Sequence, residues 1–262
     1  MGIMRKKLKQ FMTVGTTVLI AIGLVSCGKK VEAVITTEGE EITQPQKEYS
    51  TLAPSMEKKF SYSDLTVGKL KYMMTEQEVV KVLGEPVTSY DANEKNTSDD
   101  IIKEKVYSYN ELTLIFSEID GKYVLTAAAS VSESDEFSRG IRVGDSFDKI
   151  LEKYYRDTDC MNKTYYSEDK TTVIGKMLYG SFTMDNLDTV KANDKVEYGV
   201  INFNGYSSLE AAESYIVELT YFEPPYKDGT ATAYDDFAQI AFDIDNDGKI
   251  TAIRWYYYPE EK

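Results

Sequence analysis

Residues 74–86 read Met74-Thr75-Glu76-Gln77-Glu78-Val79-Val80-Lys81-Val82-Leu83-Gly84-Glu85-Pro86. Thr75 followed three residues later by Glu78 is the pattern of a capping box, in which each residue satisfies the other's free backbone amide at a helix start. Val79, Val82 and Leu83 fall on one helical face, and Gly84 followed by Pro86 stops the helix. The stretch therefore predicts a short capped helix, entered from Val67-Gly68-Lys69-Leu70. Residues 141–154, Ile141-Arg142-Val143-Gly144-Asp145-Ser146-Phe147-Asp148-Lys149-Ile150-Leu151-Glu152-Lys153-Tyr154, repeat the arrangement. Here Ser146 is the expected cap, and Phe147, Ile150, Leu151 and Tyr154 form the stripe.

Strand signals follow each helix. After the first, Lys105 to Tyr109, Leu112 to Ser117 and Tyr123 to Val131 predict a meander with a tight turn at Asp120-Gly121. After the second come Thr171 to Tyr179, Val196 to Phe203 and Tyr215 to Phe222. A closing hairpin runs from Ile240 through Asn246-Asp247-Gly248-Lys249 to Ile250–Tyr258. The expected fold class is α+β, a tandem repeat of short helices packed on antiparallel β-sheets, with units at 60–135 and 136–262.

The apolar-Gly step, the short capped helix, Leu83-Gly84-Glu85-Pro86 and the strands that follow resemble the SmpA/OmlA-type module of barrel-assembly accessory lipoproteins. They are also similar to the beta-lactamase inhibitor protein-like fold, which duplicates such a unit. The resemblance covers about residues 60–258, and in the second unit Lys153-Tyr154-Tyr155-Arg156 stands in place of Leu-Gly-Glu-Pro. It implies protein binding through a sheet face, with no catalysis and no cofactor.

The N-terminus supplies an address. Arg5, Lys6, Lys7 and Lys9 precede an apolar stretch from Phe11 to Leu24. That stretch has the length of a signal-peptide core, whereas a membrane span needs about 20 residues. Leu24-Val25-Ser26-Cys27 resembles the lipobox of bacterial lipoproteins, which implies acylation of the Cys27 sulfur and cleavage after Ser26. Residues 1–26 are thus expected to be a lipoprotein signal peptide and 27–59 an acylated flexible tether. The tether sequence is polar, carries two prolines and has no sustained period. The expected location is the cell membrane, lipid-anchored on its extracytoplasmic side.

Composition excludes more than it names. The chain has 262 residues, 42 % of them hydrophobic, with 30 Lys plus Arg against 44 Asp plus Glu. Removing residues 1–26 takes away four basic residues and no acid, leaving a formal charge of -18. Nucleic acid is therefore not an expected partner, and an anionic lipid surface would be repelled rather than bound. Histidine is absent. This removes Ser-His and Cys-His catalysis and imidazole metal sites together. With Cys27 acylated, Cys160 has no cysteine to pair with.

Asp243-Ile244-Asp245-Asn246-Asp247-Gly248 matches the first half of a calcium loop, but Arg254 stands where the bidentate acid belongs. A plain hairpin turn is expected there, with no metal. Tyrosine occurs 21 times. In Trp255-Tyr256-Tyr257-Tyr258 consecutive rings must alternate between faces, so outward rings are expected, and the four residues are the candidate binding residues. No catalytic residue is assigned. The expected function is a non-catalytic binding module for an envelope or extracellular protein or glycan. The alternative is a carboxylate-dependent envelope hydrolase, the enzyme class that needs no histidine.

Overall fold

The computed structural model describes residues 58–92, 94–95, 101–161, 164–166, 173–180, 196–223 and 235–258. Cys27, the signal peptide and most of the tether lie outside these residues.

The described residues are mainly β, and this corrects the α+β tandem repeat. After a 3-10 turn at Tyr62–Asp64 come β1 (Thr66–Val67), β2 (Leu70–Lys71), helix α1 (Glu76–Leu83), β3 (Thr88–Asp91), β4 (Glu94–Lys95), β5 (Ile101–Ile102), β6 (Glu104–Tyr109), β7 (Leu112–Ile119) and β8 (Lys122–Ser130). Then follow a 3-10 turn at Ser138–Gly140, α2 (Phe147–Lys153), α3 (Thr158–Met161), β9 (Thr164–Tyr166), β10 (Val173–Tyr179), β11 (Val196–Asn202), β12 (Ser214–Glu223), β13 (Asp235–Asp245) and β14 (Ile250–Tyr258). The expected strands are present. Instead of two separate helix-on-sheet units, the eight expected strands, with β3 and β9 in addition, join one antiparallel sheet in the order β3-β6-β7-β8-β14-β13-β12-β11-β10-β9.

The seam between β8 and β14 explains the difference. Ala127 lies opposite Tyr256, Ala128 opposite Trp255, Ala129 opposite Arg254 and Ser130 opposite Ile253. Small side chains face large ones across the seam, so the two strands pack without a gap or a clash. Two separate half-sheets would each leave a closing strand with open backbone groups; pairing them removes both edges.

Local helix signals act as read, with one exception. Thr75 and Glu78 form the capping box, the Glu78 amide donating to Thr75 Oγ1 at 3.3 Å and the Thr75 amide to Glu78 Oε2 at 2.8 Å. Ser146 precedes α2 but makes no side-chain cap. Both helix starts dock on a hairpin of the sheet, through bridges between Thr75 and Val124 and between Ser146 and Lys249. In α1 only Val79 is buried, while Val82 and Leu83 stand out at 42 % and 39 % exposure, so the expected three-residue stripe is reduced to one. In α2, Phe147, Ile150 and Leu151 are all buried, and Tyr154 after them is fully buried. The core lies between these helices, the N-terminal segment and one sheet face. Phe147 packs edge-on against Tyr215 of β12, Tyr154 tilts against Phe242 of β13, and Tyr62 meets Tyr221 and Tyr257.

Candidate binding face

Side chains of antiparallel partners share a face, so the registers sort the sheet into two surfaces. Ile253, Trp255 and Tyr257 of β14 share theirs with Phe242 and Ile240 of β13 and with Val217 and Leu219 of β12. This is the covered face. Glu76 of α1 reaches it as well, accepting from Lys105 Nζ at 3.0 Å and from the Tyr107 hydroxyl. Burial alone would raise the Glu76 carboxyl, but these two hydrogen bonds hold it below its ordinary value.

The opposite face is ordered in three rows running across the strands. One contains Tyr198, Thr220, Gln239 and Tyr256; the next Val200, Glu218, Ala241 and Arg254; the third Asn202, Ile216, Asp243 and Ala252. Aromatic, polar and ionic side chains thus surround a floor of small ones. Ala241 and Thr220 are buried in that floor. Arg254 pairs with Asp243 diagonally across β13 and β14, and their side chains keep 18 % and 32 % exposure, enough to be reached from solvent. Gln239 Nε2 donates to Thr220 Oγ1 at 3.2 Å.

Glu218 sits in the middle of this face. Burial pushes its carboxyl above the ordinary value; Arg254 opposes the shift, Asp243 adds to it and a hydrogen bond with Asn202 opposes it. The Arg254 guanidinium is held more firmly protonated than usual: burial alone would work against its charge, and Asp243, Tyr256 and Glu218 together outweigh burial. Burial and the two nearby carboxylates raise the Tyr256 phenol, with Arg254 pulling the other way.

A pH dependence follows. A carboxyl raised in the folded state binds its proton more tightly there than in the unfolded chain, so stability is lost as pH rises through the folded value. Glu218→Gln removes this loss. We expect the variant to have a higher urea midpoint than the parent at pH 7, and the gap to close near pH 4, around the unfolded carboxyl value of about 4.3. An identical gap at both pH values would show that Glu218 does not titrate in this way.

Three of the four candidate residues of the closing strand have described side chains. Trp255 and Tyr257 point into the covered face at 0 % and 7 % exposure, and Tyr256 points to the other face at 8 %. Tyr258 pairs with Phe237 in the backbone register, and its side chain lies outside the described residues, as does Cys27. Rings do alternate as the sequence requires, but both faces of β14 are occupied at Trp255, Tyr256 and Tyr257, so no ring among the three projects outward. Asp243 and Arg254, the first and twelfth positions of the calcium-like pattern, are partners of each other. Asp245 Oδ1 accepts the amides of Asp247 at 3.0 Å and Lys249 at 2.8 Å, as in a hairpin turn closed by an Asx bond.

Sequence reading missed Glu218, Asn202 and Gln239 as a group. Their common face depends on register across three strands, which no local pattern encodes. A signal was present in part: Glu218 interrupts the apolar run Ile216-Val217-Glu218-Leu219.

Comparison with known proteins finds no matching family model, no matching curated protein and no matching solved structure.

Proposed function

We propose that this chain is a cell-envelope lipoprotein, anchored on the extracytoplasmic side of the cell membrane through acylated Cys27, whose folded part is a non-catalytic binding module for a protein or glycan. The observation that supports the binding reading is the face of three rows. It combines an ion pair, amides, a carboxyl and phenols on a rigid sheet, while α1, α2 and the N-terminal segment pack on the other side. Preformed clusters of this kind hold ligands because their side chains lose little freedom on binding. Among the described residues no helix is long and apolar enough to cross a membrane.

One observation favours the alternative of a carboxylate-dependent hydrolase. Glu218 carries a carboxyl held above its usual value on the same face as Asp243, the pairing a general acid needs beside a second carboxylate.

Cys27→Ala should move the full chain from the membrane fraction to the released fraction and leave the precursor unprocessed. A photo-crosslinker at position 239 should capture a partner, and one at exposed Glu152 should not. Membrane-bound, processed Cys27→Ala would remove the anchor from the reading, and equal capture at both positions would remove the binding face. Hydrolysis of an envelope glycan abolished by Glu218→Gln would put the enzyme in its place.

A further inference from the structure

We propose that Arg254 is the moving part of a proton-operated switch in the sheet: it closes on Asp243 of β13 while Glu218 of β12 holds a proton, and it crosses β13 to Glu218 when that proton is lost to water.

Register supplies the geometry. Glu218 lies opposite Ala241 and Ala241 lies opposite Arg254, so the carboxyl and the guanidinium flank a single methyl group on one face of the sheet. Their backbones are two strand spacings apart, about 9.6 Å. A glutamate and an arginine close that gap from its two sides, because nothing larger than the Ala241 methyl stands between them. Asp243 is the next residue of β13 on the same face, diagonal to both. In the structure the guanidinium is bonded to Asp243. It stands beside two carboxyls and serves one.

Charge supplies the driving force. Arg254 is the only Lys or Arg in strands β11–β14. With one cation for two carboxyls, the cluster is neutral only while one carboxyl keeps its proton. The other side chains that face it are Tyr198 and Asn202 from β11, Ile216 and Thr220 from β12, Gln239 from β13, Tyr256 from β14 and Ala127 and Ala129 from β8, and none of them is a carboxylate or a cation. From β10 come only Gly175 and Met177. Asp245, farther along β13, is engaged by the amides of Asp247 and Lys249. Burial is the largest influence keeping the proton on Glu218 above the ordinary carboxyl range; Asp243 adds to it, and Arg254 and Asn202 oppose it. Ala241 and Thr220 are out of solvent and Tyr256 nearly so, which leaves little water to stabilise a second, unmatched carboxylate. When Glu218 does ionise, the nearest compensation is the guanidinium across Ala241.

The two states tie different strands. Arg254 on Asp243 fastens β14 to its neighbour β13, whereas Arg254 on Glu218 fastens β14 to β12 across it. Because β14 is also the strand that meets β8 at the seam, the exchange acts on the strand that makes the sheet continuous. The switch needs no ligand on this face.

The test uses the full chain in detergent micelles, labelled with carbon-13 at the glutamate carboxyls and nitrogen-15 at arginine, and followed by NMR from about pH 4 to about pH 9. The Glu218 and Arg254 signals are those that disappear in Glu218→Gln and Arg254→Lys. In the parent, the Arg254 Nε–H signal should shift with the same midpoint as the Glu218 carboxyl, and a nuclear Overhauser contact from that N–H to the Glu218 Cγ protons should appear above it. In Glu218→Gln the Arg254 signal should hold still over the same range. Asp243→Asn, which frees the guanidinium for Glu218, should lower the Glu218 midpoint by about one pH unit or more. An Arg254 signal that ignores the Glu218 midpoint, or moves equally in Glu218→Gln, overturns the switch. So does the absence of the Overhauser contact above the midpoint, or an unchanged midpoint in folded Asp243→Asn. Should Asp243→Asn fail to melt cooperatively, the parent and Glu218→Gln decide between the same two outcomes.

Discussion

Replacing Arg139 by methionine is expected to lower the unfolding free energy by about 3–5 kcal/mol. All five N–H donors of the guanidinium have acceptors. Its Nε and Nη2 grip Asp64 Oδ1 and Oδ2 at 2.7 and 2.8 Å, and Nη2 also donates to the Lys59 carbonyl at 2.8 Å. Nη1 donates to the carbonyls of Lys58 at 2.5 Å and Lys153 at 2.8 Å. The Cζ of this fork lies 4.1 Å from the Tyr154 ring centre, and Tyr154 is itself pinned by Ser138 at 2.7 Å. One side chain thereby ties residues 58–64 to the end of α2. The Asp64 side chain is only 5 % exposed, so removing its partner strands a buried carboxylate.

Arg139→Lys should recover little of this loss, because one ammonium cannot span a carboxylate and three carbonyls. The double change Asp64→Leu/Arg139→Met should recover much of it, since no charge is left stranded. Urea unfolding checks all three, and at about 2–4 °C per kcal/mol for a domain of this size the single variant should also melt about 10 °C lower. An Arg139→Met variant within 1 kcal/mol of the parent would show that the clamp contributes nothing net.

Arg139 also illustrates why parts of this fold could not be read in advance. It adopts φ 58° in a 3-10 turn and meets an acid seventy-five positions earlier in the chain. Neither fact has a local signature. What was legible was local: the Thr75 capping box, the Asp120-Gly121 turn with φ of 50° and 73°, and the strand segments themselves. These depend on residues within about four positions of one another. Overestimation came from the same source. A repeated local pattern at Thr75 and Ser146 suggested two units of helix on sheet, while the run Ala127-Ala128-Ala129, which lets β8 lie against Trp255 and Tyr256, was not used. Register across strands decides both the continuous sheet and the three-row face, so the same missing information hid both.

Trp255→Ala is the second large effect, expected to cost about 3–5 kcal/mol of stability, and it separates a core role from a contact role for the aromatic run. Trp255 is fully buried, opposite Ala128 on one side and Ile240 on the other, on the face covered by the helices and the N-terminal segment. No neighbour can fill the space its indole leaves, because the residue across the seam is an alanine fixed by its own strand. Trp255→Phe should cost much less, for two reasons. Phenylalanine keeps most of the apolar area, and Trp255 Nε1 has no hydrogen-bond partner among the described residues, a buried donor that costs about 1–3 kcal/mol to leave unmet. Removing that donor offsets part of the lost packing. Because the ring lies on the covered face, Trp255→Phe should leave capture at position 239 unchanged. Chemical denaturation of the two variants, run beside the crosslinking assay, separates the cases. A stable Trp255→Ala chain that loses its partner would make the indole a contact residue after all. An unstable Trp255→Ala beside a near-normal Trp255→Phe means that the indole is held for its volume.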